Sequence, residues 1–377
     1  MAGKYWRSRP NVLGTLCGSI AAIGYTAANC CLRAAATGSV LDPVWISCVK
    51  ALPTAAVCGS IVLAAALRGH RAWPPGRVLG ALVLASLLGQ VGGNVAFQWS
   101  LGVIGIGLTV PLCMGTVIVA SAILARVYLH EPVKPLAAAS MAVLIAAIWI
   151  LSLGAGEVHA SITGAAPQAW IVVAGVLAAC LSGVAYSVLG VVIRYGVTGK
   201  ASVAATTFIV GFVGVVFLGL LSCARLGWQG MGATTAGQWA VMIAAGLFNL
   251  AAFVALTKAL QLTSVVYVNA INASQVAMSV VAGVLLFREI LSPAIQAGVV
   301  LTIAGLLLMP RQREVPEALR GPVSKARRKA PRGRKDHQAS PIGAGADATE
   351  GENPRRRCSD GPPSSEGASG ERVADSV

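Results

Sequence analysis

Between Val12 and Met309 the chain is a succession of apolar runs, most of them close to the roughly 20 residues that a bilayer-spanning helix needs. They fall at Val12–Leu32, Val44–Leu67, Leu79–Trp99, Ile106–Tyr128, Leu136–Leu153, Ala169–Ile193, Val203–Ala224, Trp239–Leu256, Val265–Phe287 and Ala294–Met309. Short polar or Gly/Pro-rich connections separate them, and SLGVIG alone divides the third run from the fourth. No soluble core accommodates this pattern. Of the 377 residues 56% are hydrophobic and 11% charged, with a mean hydropathy of +0.73, against about 25% charged in soluble domains. The expected fold class is an all-α polytopic membrane protein with ten transmembrane helices.

Tryptophan gives an independent check on the span ends. Trp6, Trp45, Trp73, Trp99, Trp149, Trp170, Trp228 and Trp239 all fall at or just outside them, where indole rings favour the headgroup level. Val12–Leu32 exceeds a signal-peptide core in length, so an uncleaved first span is expected. The nine cysteines form no CxxC pair and lie mostly in apolar runs, where Cys acts as a small hydrophobe. With only four histidines, the sequence points to no cofactor, metal site or disulfide framework.

The net charge of +15 is unevenly distributed. Residues 1–310 hold 15 Lys/Arg against 4 Asp/Glu, whereas 311–377 hold 14 against 10. With the N-terminus in the cytoplasm, the cytoplasmic connections carry Lys4, Arg7, Arg9, Arg68, Arg71, Arg77, Arg126, Lys134, Arg194, Lys200 and Lys258, plus the basic tail. The other side carries only Arg33, Arg225 and Arg288. That is the positive-inside bias, with both termini cytoplasmic.

The longest external connection, residues 154–168, separates a first set of five spans (12–153) from a second (169–310). Five is odd, so the second copy enters the membrane inverted relative to the first, as in many secondary transporters. Residues 1–11 form a short cytoplasmic N-terminus. From Arg311 the chain turns Arg-, Pro-, Gly- and Ser-rich and is expected to be a disordered cytoplasmic tail. Its basic stretch 325–335, KARRKAPRGRK, suits anionic lipid headgroups at roughly 1 kcal/mol per basic residue. The membrane context disfavours nucleic acid as its partner.

Polar residues inside the spans are the candidates for function, because an amide in hydrocarbon is costly unless it pairs or faces water. In the ninth span Asn269, Asn272, Gln275 and Ser279 recur at spacings of three and four, which places them along one side of a helix. In the third, Gln90, Asn94 and Gln98 are spaced by fours. Tyr186 and Asn249 are single polar residues in the sixth and eighth spans. Such residues either line a cavity or bond helix to helix. Lys50 is the one basic residue well inside a span, about 10 Å from its outer end at 1.5 Å per residue. It either fixes a positive charge beside the pathway or snorkels to the interface. Glu131 and Glu289 each close a span just before the next helix, where a carboxylate complements the helix N-terminus.

Two long segments echo each other. PLCMGTVIVASAILARVYLHEPVKP (Pro111–Pro135) and ALQLTSVVYVNAINASQVAMSVVAGVLLFREILSP (Ala259–Pro293) align Glu131 with Glu289 and Pro135 with Pro293. With ten spans in two halves, this resembles the EamA branch of the drug/metabolite transporter superfamily over about residues 10–310. The resemblance implies a central cavity ringed by spans one to four and six to nine, and a basic residue early in the second span, a place Lys50 fills. It also implies a proline early in the fourth and ninth spans; Pro111 stands in the first place and Asn269 in the second.

The function so implied is secondary transport, as an exporter or exchanger, of a small polar or zwitterionic metabolite such as an amino acid. The expected setting is the plasma membrane of a bacterium, and a homodimer is compatible with it. The substrate-contact candidates are Gln90, Asn94, Gln98, Asn269, Asn272, Gln275, Lys50, Tyr186 and Asn249. An intramembrane enzyme is disfavoured, since no span holds a histidine, a carboxylate pair or an HExxH motif. The alternative is a non-transporting receptor or scaffold that works through its tail.

Overall fold

The computed structural model describes residues 10–37, 41–69, 73–129, 135–163, 168–290 and 292–308, all within one compact unit. Glu131, Lys134, the stretch 325–335 and the remainder of the tail lie outside the described residues. The described chain is helical throughout its regular structure: α1 (Pro10–Ala36), α2 (Pro43–Leu67), α3 (Gly76–Ile104), α4 (Ile106–Tyr128), α5 (Pro135–Leu153), α6 (Ala155–Thr163), α7 (Ala169–Val197), α8 (Val203–Gly232), α9 (Ala236–Leu262), α10 (Val265–Asn272), α11 (Gln275–Phe287) and α12 (Pro293–Leu308).

Among the described residues eight helices are long and apolar enough to cross a membrane, or nine if the α5–α6 pair, bent by 44°, counts as one. The region of the tenth expected span, α12, is apolar but shorter. Leu177, Leu220 and Leu285 remain exposed on the outside, a surface suited to lipid rather than water. This is an integral membrane protein.

Local chemistry sets the helix starts. Asp42 accepts a hydrogen bond from the Val44 amide at 2.8 Å ahead of Pro43 at the first turn of α2, a cap preorganised by proline's fixed φ. Ser202 caps α8, and Thr235 with Gln238 forms a capping box on α9. A single residue, Gly105 at φ 73°, separates α3 from α4. The third span therefore runs on to Ile104, five residues past the expected Trp99. Similarly, α8 passes the expected Ala224 and turns at Gly227, φ 65°.

Three further expectations need correction. The connection 154–168 is not wholly loop, since Ala155–Thr163 is helical and buries His159, whose Nδ1 lies 2.9 Å from the Val103 carbonyl. The ninth span is broken despite lacking the proline: α10 stops at Asn272 and α11 starts at Gln275, whereas Pro111 sits inside an unbroken α4. Glu289 does not serve the next helix. Arg288, in the left-handed region at φ 52°, ends α11, and its N–H and that of Glu289 both return to the Gly283 carbonyl. That tight reversal turns the Glu289 side chain inward.

Left-handed backbone costs an L-residue about 1 kcal/mol or more. Arg288→Gly is therefore expected to raise the unfolding temperature in detergent slightly, and Arg288→Val to lower it. A thermal unfolding series on the two variants checks the order.

The helices pack mainly across the two halves. α1 lies along α9, α2 along α8, α5 along α12, α3 along α7, and α4 against α7, α10 and α11. Small residues permit the closest approaches: a Cβ on Gly183 would meet the Cys113 carbonyl at 2.6 Å, and one on Gly246 the Lys50 carbonyl at 2.7 Å.

Candidate functional site

Eight span-forming segments line a cavity of about 140 Å³. Its wall takes Tyr25 and Asn29 from α1, Lys50 and Thr54 from α2, Gln90, Asn94 and Phe97 from α3, and Met114 and Val117 from α4. The second half adds Tyr186 of α7, Val210 of α8, Asn249 and Phe253 of α9, and Asn269, Asn272 and Gln275 of α10–α11. Among the described residues none of the lining comes from α5, α6 or α12.

One polar cluster is built on the middle of α3, where Gly89–Val95 forms a π-helical segment of sequence GQVGGNV. Its glycines let neighbouring helices close in: a Cβ on Gly93 would meet the Tyr186 ring at 2.7 Å, and one on Gly89 would meet Leu189 at 2.9 Å. Lys50 Nζ donates to Asn94 Oδ1 at 2.6 Å, and the Tyr186 hydroxyl donates to the same oxygen at 2.8 Å. Asn94 Nδ2 donates to Gln90 Oε1 at 2.6 Å, and Gln90 Nε2 to the Val210 carbonyl at 3.0 Å. The chain of donors thus runs from Lys50 to a backbone carbonyl. Lys50 is only 6% exposed, so the snorkelling alternative does not describe it.

Gln98 departs from the expected stripe. It does not line the cavity, and its Nε2 donates to the Leu32 carbonyl at 3.1 Å. A π-helical turn takes an extra residue, which rotates the following helix by about 100°. Gln98 therefore turns to α1 while Gln90 and Asn94 face the cavity.

The second cluster lies at the break between α10 and α11. Asn29 Nδ2 donates to Gln275 Oε1 at 3.3 Å, and Gln275 Nε2 donates to the Asn272 carbonyl at 3.0 Å. An interrupted helix leaves carbonyls without an amide partner, and the Gln275 side chain fills that need. Asn272 Oδ1 is buried without a protein partner. Ser279, the last of the expected stripe, is fully buried and outside the cavity lining. Asn249 and Asn269 contribute to the wall. Sequence reasoning missed Tyr25 and Asn29, although Tyr25, Asn29 and Arg33 recur every four residues along the first span.

Beyond the cavity, towards one end of the bundle, lies a buried ion pair. Arg33 Nε donates to Glu289 Oε1 at 3.0 Å, with both side chains almost wholly buried. The same carboxylate accepts from the amides of Ile106 at 2.9 Å and Gly107 at 2.8 Å, at the N-terminus of α4. Gly105, Gly107 and Gly283 leave room for it. Arg33 is accordingly not a free topogenic charge, and Arg225 at the same end pairs with Asp42 at 2.9 Å. At the opposite end the Thr15 and Tyr267 hydroxyls lie 2.8 Å apart, joining α1 to α10. Among the described residues no group of three His, Cys, Asp or Glu could hold a metal ion.

Residues 173–310 match the model of the EamA-like transporter family. They form an EamA-like segment. It takes in most of the second half: nearly all of α7, then α8 to α12, with Tyr186, Asn249, Asn269, Asn272 and Gln275 inside it. The family is one of membrane transporters, which agrees with a multi-pass protein enclosing a polar cavity. A solved structure described only as "Crystal structure of protein" aligns with a TM-score of 0.55 at 16% identity, over 78% of this chain and 95% of that one, and thus shares the fold. No curated protein matches the chain. Lys50, Asn94 and Gln90 lie outside the EamA-like segment, and their placement comes from the geometry alone.

Proposed function

We propose that this protein is a secondary transporter, working as an exporter or exchanger, for a small polar or zwitterionic metabolite such as an amino acid. It alternates access between two inverted five-helix repeats, residues 12–153 and 169–310. The observation that carries this reading is the cavity, which draws its wall from both halves. The helix pairing supports the inverted arrangement. Exchanging the halves maps the α2–α8 and α5–α12 pairs onto themselves, and the α1–α9 pair onto α3–α7. Both termini face the cytoplasm in this reading, on the strength of the basic connections. Among the described residues no carboxylate lines the cavity, which favours exchange or facilitated diffusion over a carboxylate proton relay.

Flux of labelled solute into proteoliposomes tests the reading. Asn272→Leu removes a buried amide that faces the cavity, a polar contact worth about 1–3 kcal/mol to a bound solute. Flux at low solute is expected to fall about tenfold or more, with an unchanged elution profile in detergent. A well-folded variant with undiminished flux would count against the second cluster as a solute site.

A further inference from the structure

We infer that the solute seated in this cavity is a small organic monoanion, a carboxylate held on Lys50 with an uncharged, largely apolar body. The inference rests on the transport reading of the cavity and, on charge balance, sets a monoanion in place of the zwitterion named there.

Charge balance is the first support. Lys50 is the one charged residue in the described cavity wall. Its only described hydrogen-bond partner is Asn94, whose amide oxygen accepts a hydrogen bond but neutralises nothing. The described acids nearest in role are engaged elsewhere: Glu289 with Arg33 and the start of α4, Asp42 with Arg225. A buried ammonium without a counter-charge is a costly state. A monoanionic solute removes it, a neutral solute leaves it, and a zwitterion adds a second buried cation that only uncharged oxygens of the described wall can receive.

Preorganisation is the second. Two donors, Lys50 and Tyr186, converge on Asn94 Oδ1, which fixes the amide's orientation, and Gln90 anchors its other end to Val210. Nζ is thereby held at the cavity wall with further ammonium protons available to an incoming oxygen. Shape is the third. Phe97, Met114, Val117, Phe253 and Leu256 supply an apolar wall for the body of the solute. Bare inorganic anions would leave that wall unused.

The experiment is thermal unfolding of the full-length protein in detergent against a graded series of short monocarboxylates, from acetate to octanoate. Each acid is run beside its 2-amino acid, its amide and sodium chloride at equal concentration. A medium-length acid is expected to raise the unfolding temperature, with its 2-amino acid requiring about tenfold more for the same shift and the amide giving none. Lys50→Gln should abolish the acid's shift while still folding, since it removes a buried charge, and Lys50→Arg should retain part of it. Three results overturn the inference: a 2-amino acid that stabilises as well as its acid, an acid shift that survives in Lys50→Gln, or the absence of any acid shift in the unmodified protein. Chloride matching the best acid overturns it too, because the site would then be a bare anion site. Counterflow of the same acid in proteoliposomes separates the two readings. Stabilisation without counterflow leaves the monoanion site standing and refutes transport.

Discussion

Glu289→Gln is expected to destabilise the protein by about 3–5 kcal/mol, the usual consequence of removing one partner from a buried ion pair. Two losses combine. The Arg33 guanidinium keeps its charge in a site where it is only 3% exposed, stacked over the Phe287 ring with its centroid 5.7 Å away. In addition, an amide offers one acceptor where the carboxylate offered two, so its NH2 group confronts either the Ile106 or the Gly107 N–H. Arg33→Met should be milder, because Glu289 retains both backbone donors and the positive end of α4. Combining the two substitutions should recover the part due to the orphaned charge and leave the amide mismatch. Unfolding temperatures and the monodisperse fraction in detergent read all three variants. If Arg33→Met proved as damaging as Glu289→Gln, the α4 terminus would not be the principal receptor of this carboxylate.

The second large effect is expected at Gly246. A Cβ there would stand 2.7 Å from the Lys50 carbonyl oxygen and 2.8 Å from two atoms of the Pro53 ring. Neither neighbour is the yielding end of a flexible side chain. Gly246→Ala must therefore push α9 from α2, at a typical overpacking cost of about 1–3 kcal/mol. The displacement falls on the residue that donates to Asn94, so solute flux should drop by more than the loss of folded protein explains. The control is Gly237→Ala on the same helix, where an added Cβ meets nothing within 4 Å. Flux per folded molecule equal to that control would detach the α2–α9 contact from the site.

Much of the organisation was legible because the membrane allows few solutions. Backbone polar groups in hydrocarbon must be satisfied within the segment, so a long apolar run implies a helix. The caps at Asp42–Pro43, Ser202 and Thr235, by contrast, emerged only with the structure. Polar residues in apolar runs also announced themselves: Lys50, Gln90, Asn94, Tyr186, Asn249, Asn269, Asn272 and Gln275 all reach the one cavity. Gln98 and Ser279 do not. In both spans the periodicity changes partway, through a π-helical segment in one and a break in the other. A spacing of three or four residues describes a face only while the helix stays regular.

Asn29 and the Glu289 receptor were harder to read. Asn29 and Gln275 are separated by 246 residues, and Arg33 and Glu289 by 256. Nothing in either local sequence names the other. Glu289 carried a local expectation, the start of the next helix, and the left-handed turn at Arg288 overrode it. The sequence by itself determined that this chain enters a membrane as apolar helices, and which polar side chains must find partners or water. Only the tertiary structure decided which of them meet. Hydrophobic burial and backbone satisfaction act within a segment, whereas a hydrogen bond between segments depends on helix packing that the close approaches at Gly183 and Gly246 set across the two halves.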